Sequence, residues 1–194
     1  MKRICDILIS SIGLLSLTPV FVIISTIIKL SSKGPIFFVQ ERVGKNGDIF
    51  SMIKFRSMTI QQDNLSTVSI YGDSRITNFG FFLRKYKLDE LPELFNVLKG
   101  DMSLVGPRPD VPGYADKLVG EAKLILLLRP GITGPATLKY ANEEKILASC
   151  NDPVKYNDEI IYPDKVKINL DYYYNNSIWI DFKIIFATIF RKSY

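Results

Sequence analysis

Between Asp6 and Lys29 the chain carries no charged residue, and a proline stands near the middle of that run. As a helix, the 22 residues from Ile7 to Ile28 would reach roughly 33 Å, about the thickness of a bilayer's hydrocarbon core. Lys2 and Arg3 in front of the run fit the start of a signal peptide. The run is longer than an ordinary signal core, however, and no small-residue cleavage site precedes the charges that follow. The segment therefore reads as retained. Pro19 removes one intrahelical hydrogen bond and clashes with the carbonyl of Leu15, so a helix kinks there. The Thr18 hydroxyl is placed to satisfy a backbone group freed at the kink. Two topologies remain open. One is a kinked helix that crosses the membrane. The other enters one leaflet, breaks at Thr18 and Pro19, and returns. Positive charge on both flanks (Lys2 and Arg3 before, Lys29, Lys33, Arg42 and Lys45 after) departs from the one-sided bias of a simple span and favours the second.

The whole chain has the size of one domain with room for an appendage, and is long enough to bury a real core. Its 194 residues include no histidine, which excludes every mechanism built on an imidazole base and every His-ligated zinc site. Two cysteines, Cys5 and Cys150, make neither a disulfide framework nor a Cys-rich metal site. Acid–base or nucleophilic chemistry must come from Asp, Glu, Lys, Tyr or Cys. The net charge of +5 favours an anionic partner such as phosphate, nucleic acid or a membrane surface.

After Pro35 the pattern turns to strands. Ile36 to Gln40 and Ile49 to Met58 flank the turn Arg42 to Gly47, which predicts a hairpin. Lys54 and Arg56 lie two apart and share a face, opposite Ile53 and Phe55. They are either solvated cations or a pair aimed at a phosphate. Gln61 to Gly72 reads as a loop. A helix is expected from Asp73, with Ile76, Phe79, Leu83 and Tyr86 as its apolar stripe. A second helix is expected from Leu88 to about Leu98, with Pro92 in its first turn and Gly100 as its cap. Ser103 to Asp110 is a stiff Pro-rich segment, Val111 to Leu128 is partly helical, and Arg129 to Pro135 is a turn-rich loop. Val166 to Phe190 mixes aromatics and aliphatics with sparse charge. It fits an amphipathic helix at a membrane interface, or equally a helix packed on the core.

Asp89 and Glu90 form an adjacent carboxylate pair just before the second helix and just after the basic residues Arg84, Lys85 and Lys87. Two roles are open for Asp89. It is a preferred helix N-cap residue; alternatively, the neighbouring cations keep it ionised as a nucleophile toward phosphorus. Glu143 and Glu144 look like a solvated helical face. Arg108, between Pro107 and Pro109, has a restricted backbone that would fix its guanidinium for phosphate binding. Arg129, before Pro130 and Gly131, is a weaker case of the same kind. Gly44-Lys45-Asn46 is not a phosphate-cradling P-loop.

Taken together, the run from Lys87 to Pro109 (KLDELPELFNVLKGDMSLVGPRP) resembles the signature of the bacterial sugar transferases. These are monotopic phosphoglycosyl transferases that initiate glycan assembly on polyprenyl phosphate. Further matches are Gln40 to Gly44, Lys54 to Met58, Asp73 to Thr77, Phe82 to Lys85 and Arg129 to Gly134. The resemblance implies a mixed α/β, helix-rich catalytic core. A re-entrant membrane helix hairpin would occupy residues 1–32, and a cytoplasmic membrane-associated catalytic domain residues 33–194, with a short hairpin and interfacial amphipathic helices. The implied reaction moves a sugar phosphate from a UDP-sugar to polyprenyl (undecaprenyl) phosphate and releases UMP, the first membrane step of capsule, O-antigen or glycoprotein glycan synthesis. Asp89 is implied as the nucleophile that forms a phosphosugar–aspartyl intermediate, with Glu90 as its partner in magnesium binding or proton transfer. Mg²⁺ held by Asp89 and Glu90 would offset phosphate charge. Lys54, Arg84 and Arg108 match positions expected near phosphate, and Arg56 and Arg129 are further candidates for substrate binding. The implied setting is the cytoplasmic face of a bacterial inner membrane, with no nucleic-acid partner and with a homodimer as one further assembly. Two departures stand out. Thr18-Pro19 replaces the family's Ser-Pro at the helix break. After Gly134 the family's usual Trp and Val-Asn-Gly-Arg stretch is missing, so sugar identity does not carry over.

Overall fold

The computed structural model describes residues 1–59 and 75–190. It is a mixed α/β, helix-rich structure with two small two-stranded sheets. The apolar run forms α1 (Lys2–Ser16) and α2 (Thr18–Ser31), bent by 61° at Leu17. Pro19 sits in the first turn of α2, where its missing N–H is not needed. Thr18 Oγ1 donates to the Leu14 carbonyl at 2.9 Å, covering an acceptor at the end of α1. Among the described residues no single helix is long and apolar enough to cross a membrane, although the bent pair together has the length and composition.

Both ends of this pair are fastened to the same body. At the start of α1, Lys2 Nζ donates to Val105 O at 2.9 Å, Tyr172 Oη at 3.1 Å and Asp181 Oδ2 at 2.5 Å. Arg3 donates to Val97 O and Leu98 O, near the end of a later helix. The buried Asp6 accepts from Ser103 Oγ at 2.9 Å and from the Leu104 N–H at 3.1 Å. At the other end, Ile24 and Ile28 of α2 pack with Phe55 and Leu83 in one apolar cluster. The outer side stays bare, with Ile4, Leu8, Ile12, Leu15, Val22, Ile23 and Leu30 exposed.

The predicted hairpin is present. Strands β1 (Phe37–Val43) and β2 (Ile49–Phe55) run antiparallel, with Phe37 opposite Phe55 and Val43 opposite Ile49. Helix α3 (Asn78–Lys85) starts later than the sequence pattern suggests. Thr77 caps it by accepting from the Gly80 N–H at 2.9 Å, while Asp73 and the expected loop Gln61 to Gly72 lie outside the described residues. Leu83 takes the core side, but Tyr86 from the expected stripe is exposed because the helix has ended before it. Gly80 is required by close approach: a Cβ there would lie 1.9 Å from Ser57 O.

The expected helix from Leu88 to Leu98 divides in two. Leu88–Glu90 is a single 3₁₀ turn, and α4 (Glu93–Lys99) begins after Pro92 and ends at Gly100 with φ +106°. The segments read as stiff or turn-rich loops contribute a parallel pair instead, β3 (Ser103–Val105) and β4 (Gly131–Thr133). Each strand is only three residues long and is flanked by Gly and Pro, which leaves no run long enough to read as a strand. The closeness of the pair demands glycine: a Cβ on Gly131 would lie 2.1 Å from the Gly106 nitrogen. Two 3₁₀ segments, Ala115–Lys117 and Gly120–Leu127, join the strands.

Short helices follow: α5 (Pro135–Lys139), α6 (Glu143–Ala148) and α7 (Pro153–Tyr156). The C-terminal stretch expected as one helix is two, α8 (Tyr162–Asn175) and α9 (Ile178–Ile189), broken where Ser177 caps α9. Asp181 faces inward to Lys2 and Tyr172, and Ile184 is buried with Val105 and Tyr172. Trp179, Phe186, Ile189 and Phe190 remain exposed. The stretch is thus both core-packed on one side and apolar on the outside.

Candidate active site

Asn96 sets the geometry. From α4 it donates to Ser51 O at 2.7 Å and accepts from the Ile53 N–H at 3.0 Å, docking the helix on the open edge of β2 like an added strand residue. Glu93 and Glu90, three and six positions earlier, then reach Lys54 on the neighbouring stretch of β2. Glu93 lies one turn back on α4. Glu90 sits in the preceding 3₁₀ turn, which the chain enters through Lys87 at φ +58°, a left-handed conformation that non-glycine residues rarely adopt.

Lys54 Nζ lies 2.9 Å from Glu90 Oε1 and 3.2 Å from Glu93 Oε1. Arg108 Nη2 reaches the same Glu90 oxygen at 2.5 Å. Arg108 is held by its loop: Arg42 Nη1 donates to Pro109 O at 3.1 Å, and the Val43 N–H to Asp110 O at 2.9 Å. Burial pushes Glu90 upward, but Arg108 and Lys54 outweigh it and hold the carboxyl well below the usual range. Glu90 in turn raises the Arg108 guanidinium. Glu93, buried and with weaker compensation from Lys54, rises to about 7.

Asp89 is different. It is only 8% exposed, and its Oδ1 is buried with no hydrogen-bond partner. It caps no helix, since the 3₁₀ turn and α4 both begin without a side-chain cap. Burial raises its pKa and the Glu90 charge raises it further, while Lys54, Lys87 and Arg84 pull it back. A buried carboxylate without a partner is expensive to keep. Here it stands within the influence of Lys54, Lys87 and Arg84, with an acceptor oxygen left unused.

The remaining candidates separate. Lys54, Arg84 and Arg108 stand near the carboxylate pair, although Arg84 is ion-paired with Glu144 of α6. Arg56 does not join them: it is buried and donates to Lys33 O at 2.8 Å and to Ser32 O at 2.9 Å, closing the end of α2. Arg129 donates through Nε to Gly100 O at 3.0 Å, closing the end of α4. Both are cations on helix C-termini, where unpaired carbonyls attract them. Sequence reasoning passed over Glu93, Arg42 and Asp110. Glu93 had a signal, the three-residue spacing from both Glu90 and Asn96. Arg42 and Asp110 had none, because they meet only through the β1–loop contact. Asp110, raised to about 6 by burial against the pull of Lys165 and Arg42, is part of the same buried charge cluster.

Among the described residues no group of three or more His, Cys, Asp or Glu side chains forms a metal-holding cluster. Mg²⁺ requires none, because it is commonly held by one or two carboxylates together with substrate phosphates and water. The unpartnered Asp89 Oδ1 beside Glu90 fits that mode.

The bacterial sugar transferase family model matches residues 1–193. The chain belongs to the bacterial sugar transferase family. Among curated members, a UDP-glucose:undecaprenyl-phosphate glucose-1-phosphate transferase of Klebsiella pneumoniae is 37% identical over 195 residues, covering 98% of this chain and 39% of that protein. A UDP-N-acetylgalactosamine-undecaprenyl-phosphate N-acetylgalactosaminephosphotransferase of Aeromonas hydrophila is 38% identical over 194 residues, 97% of this chain and 42% of the relative. The exopolysaccharide production protein ExoY of Rhizobium meliloti is 32% identical over 204 residues, 97% of this chain and 83% of its own length. This sugar transferase chain thus spans about two fifths of the length of the first two relatives. Those two differ in the sugar that their names carry at nearly equal identity, so identity at this level does not select a sugar.

Proposed function

We propose that this chain transfers a sugar 1-phosphate from a UDP-sugar to undecaprenyl phosphate, releases UMP, and does so through a phosphosugar–aspartyl intermediate on Asp89. The observation that carries the reading is the buried Asp89 carboxylate, with Oδ1 unpartnered and Lys54, Lys87 and Arg84 as its nearest cationic influences. An Asp89 oxygen attacks the phosphorus that bears the sugar. The bond from that phosphorus to the bridging oxygen breaks, and the bridging oxygen leaves on UMP. An oxygen of undecaprenyl phosphate then attacks the same phosphorus, the bond to Asp89 breaks, and the carboxylate is restored. Neither leaving group needs a proton, which suits a chain without histidine. Glu90, held ionised by Lys54 and Arg108, has no proton to give near neutral pH. Its role is to hold those two cations, and Asp89 and Glu90 are the residues that would hold Mg²⁺. When bound, that ion supplies charge neutralisation for the diphosphate.

The reading includes monotopic attachment at a cytoplasmic membrane face. It is supported by the 61° bend, the exposed apolar outer side of α1 and α2, and the anchoring of both ends on one body. The test is incubation of the purified chain with a panel of UDP-sugars, undecaprenyl phosphate and Mg²⁺, read as UMP release. Intact mass after UDP-sugar alone should show a phosphosugar adduct on the wild type and none on Asp89→Asn. No UMP with any sugar would reject the activity; UMP without an adduct under several trapping conditions would favour direct displacement.

A further inference from the structure

Arg84 stands in the last turn of α3, close enough to Asp89 to lower its pKa. Its guanidinium is nevertheless taken. Glu144, from α6, accepts a hydrogen bond from Arg84 Nη2 across a sequence distance of 60 residues. The helix that carries Glu144 is itself braced. Neighbouring Glu143 accepts from Lys165 of α8 through both oxygens at 2.7 Å. Just before it, Lys139 and Tyr140 donate to Asp164 at 2.6 and 2.7 Å. Leu147, one turn on, is buried. The α5–α6 segment is therefore braced against α8, and Glu144 is the carboxylate it lays on Arg84.

An ionised carboxylate on a guanidinium makes the same paired contacts that a phosphoryl group makes. We propose that Glu144 is a built-in competitor: it holds Arg84 while the site is empty and yields the guanidinium to a phosphoryl group of the incoming substrate. The contact suits exchange. Its carboxylate side chain is 43% exposed, so release into water costs little, whereas that of Arg84 is 20% exposed and stays in place. An ion pair of this exposure is a small barrier, worth a factor that a diphosphate overcomes. The incoming group belongs either to the donor diphosphate or to the lipid acceptor. This inference rests on the proposed reading of Arg84 as a phosphate-binding residue.

The test is isothermal titration of UDP into the purified full chain, alongside the KM for undecaprenyl phosphate. Glu144→Gln should tighten UDP binding about two- to fivefold, and should leave the affinity for uridine, which has no phosphate, unchanged. Arg84→Met should weaken UDP binding, and adding Glu144→Gln to it should change nothing further. A lower acceptor KM with UDP affinity unchanged would assign the exchange to the lipid phosphate instead. If Glu144→Gln leaves both quantities unchanged or weakens binding while Arg84→Met still weakens UDP, the competitor role is overturned and the reading of Arg84 stands. If Arg84→Met leaves both UDP affinity and acceptor KM intact, that reading fails and the inference with it.

Discussion

At the scale of single residues the proposed chemistry turns on Asp89, a buried carboxylate outside the ion pairs that hold its neighbours. Glu90 and Glu93 share Lys54, and Glu90 also takes Arg108; Asp89 has no such bond at Oδ1. Replacing Asp89 with Asn should lower UMP release by about a thousandfold or more with no loss of thermal stability, because a desolvated charge is removed rather than a contact. The pH profile follows from the same geometry. Burial and Glu90 raise Asp89, so in the metal-free chain its protonated form persists above the ordinary Asp range. Lys54→Met removes a charge that opposes this rise, so the titration of Asp89 in the metal-free chain, followed by NMR, should move further up; a titration that moves down would separate Lys54 from Asp89. Arg56 illustrates the opposite case. Its hydrogen bonds end on backbone carbonyls of residues 32 and 33, so Arg56→Met should destabilise the fold by about 1–3 kcal/mol while leaving the donor KM of the folded fraction unchanged. The sequence put Lys54 and Arg56 on one face, as strand periodicity requires. It had no means of showing that one meets carboxylates and the other a helix end.

At the scale of elements, two short features position the site. The β3–β4 pair fixes the loop that carries Arg108, and it exists only because Gly106 and Gly131 let two backbones touch. A methyl group on Gly131 meets backbone, which cannot step aside, so Gly131→Ala should cost the chain its cooperative unfolding transition or its activity, measured by thermal melt and UMP release. The second feature is the bent helix pair. The proline was legible as a break, and Thr18 does cover a carbonyl at the bend. The angle was not legible, because it is set by what holds the two ends: Lys2 and Asp6 at one, Arg56 at the other. In sealed vesicles carrying a Cys150→Ser chain, Cys5 and a cysteine introduced by Ser32→Cys should label from the same side. Labelling from opposite sides would mean that the pair crosses the membrane.

At the scale of the whole molecule, residues 1–31 and the rest share their core. Ile24 and Ile28 pack with Phe55 and Leu83, and Asp6 bonds β3. Removing residues 1–31 is therefore expected to leave an aggregated chain rather than a soluble catalytic domain, checked by size-exclusion chromatography and circular dichroism. Charge acts globally too. Glu93 and Asp110, at about 7 and about 6 when folded, bind protons more tightly folded than unfolded. Their contribution to stability is present at low pH and declines as pH rises from about 4 to 7. Glu90, shifted downward, acts in the opposite sense and loses its contribution only as pH falls through its folded value. Denaturant melts of Glu93→Gln should accordingly show a shallower decline between about pH 4.5 and 7.

The sequence by itself determined the elements whose signals are local: the uncharged run and its break, the hairpin, the cap at Gly100, and the absence of imidazole chemistry. Those follow from composition, from periodicity, and from the φ limits of Pro and Gly. Through its resemblance it also pointed to the family and to Asp89 with Glu90. What only the tertiary structure decided is which charges meet. Arg108 and Lys54 converge on one oxygen of Glu90, Arg56 and Arg129 close helix ends, and Asp89 keeps an oxygen unpartnered. The physical reason is that ion pairs and buried carboxylates take their energy from distance and desolvation. Both are set by contacts tens of residues apart, which leave no periodic trace along the chain.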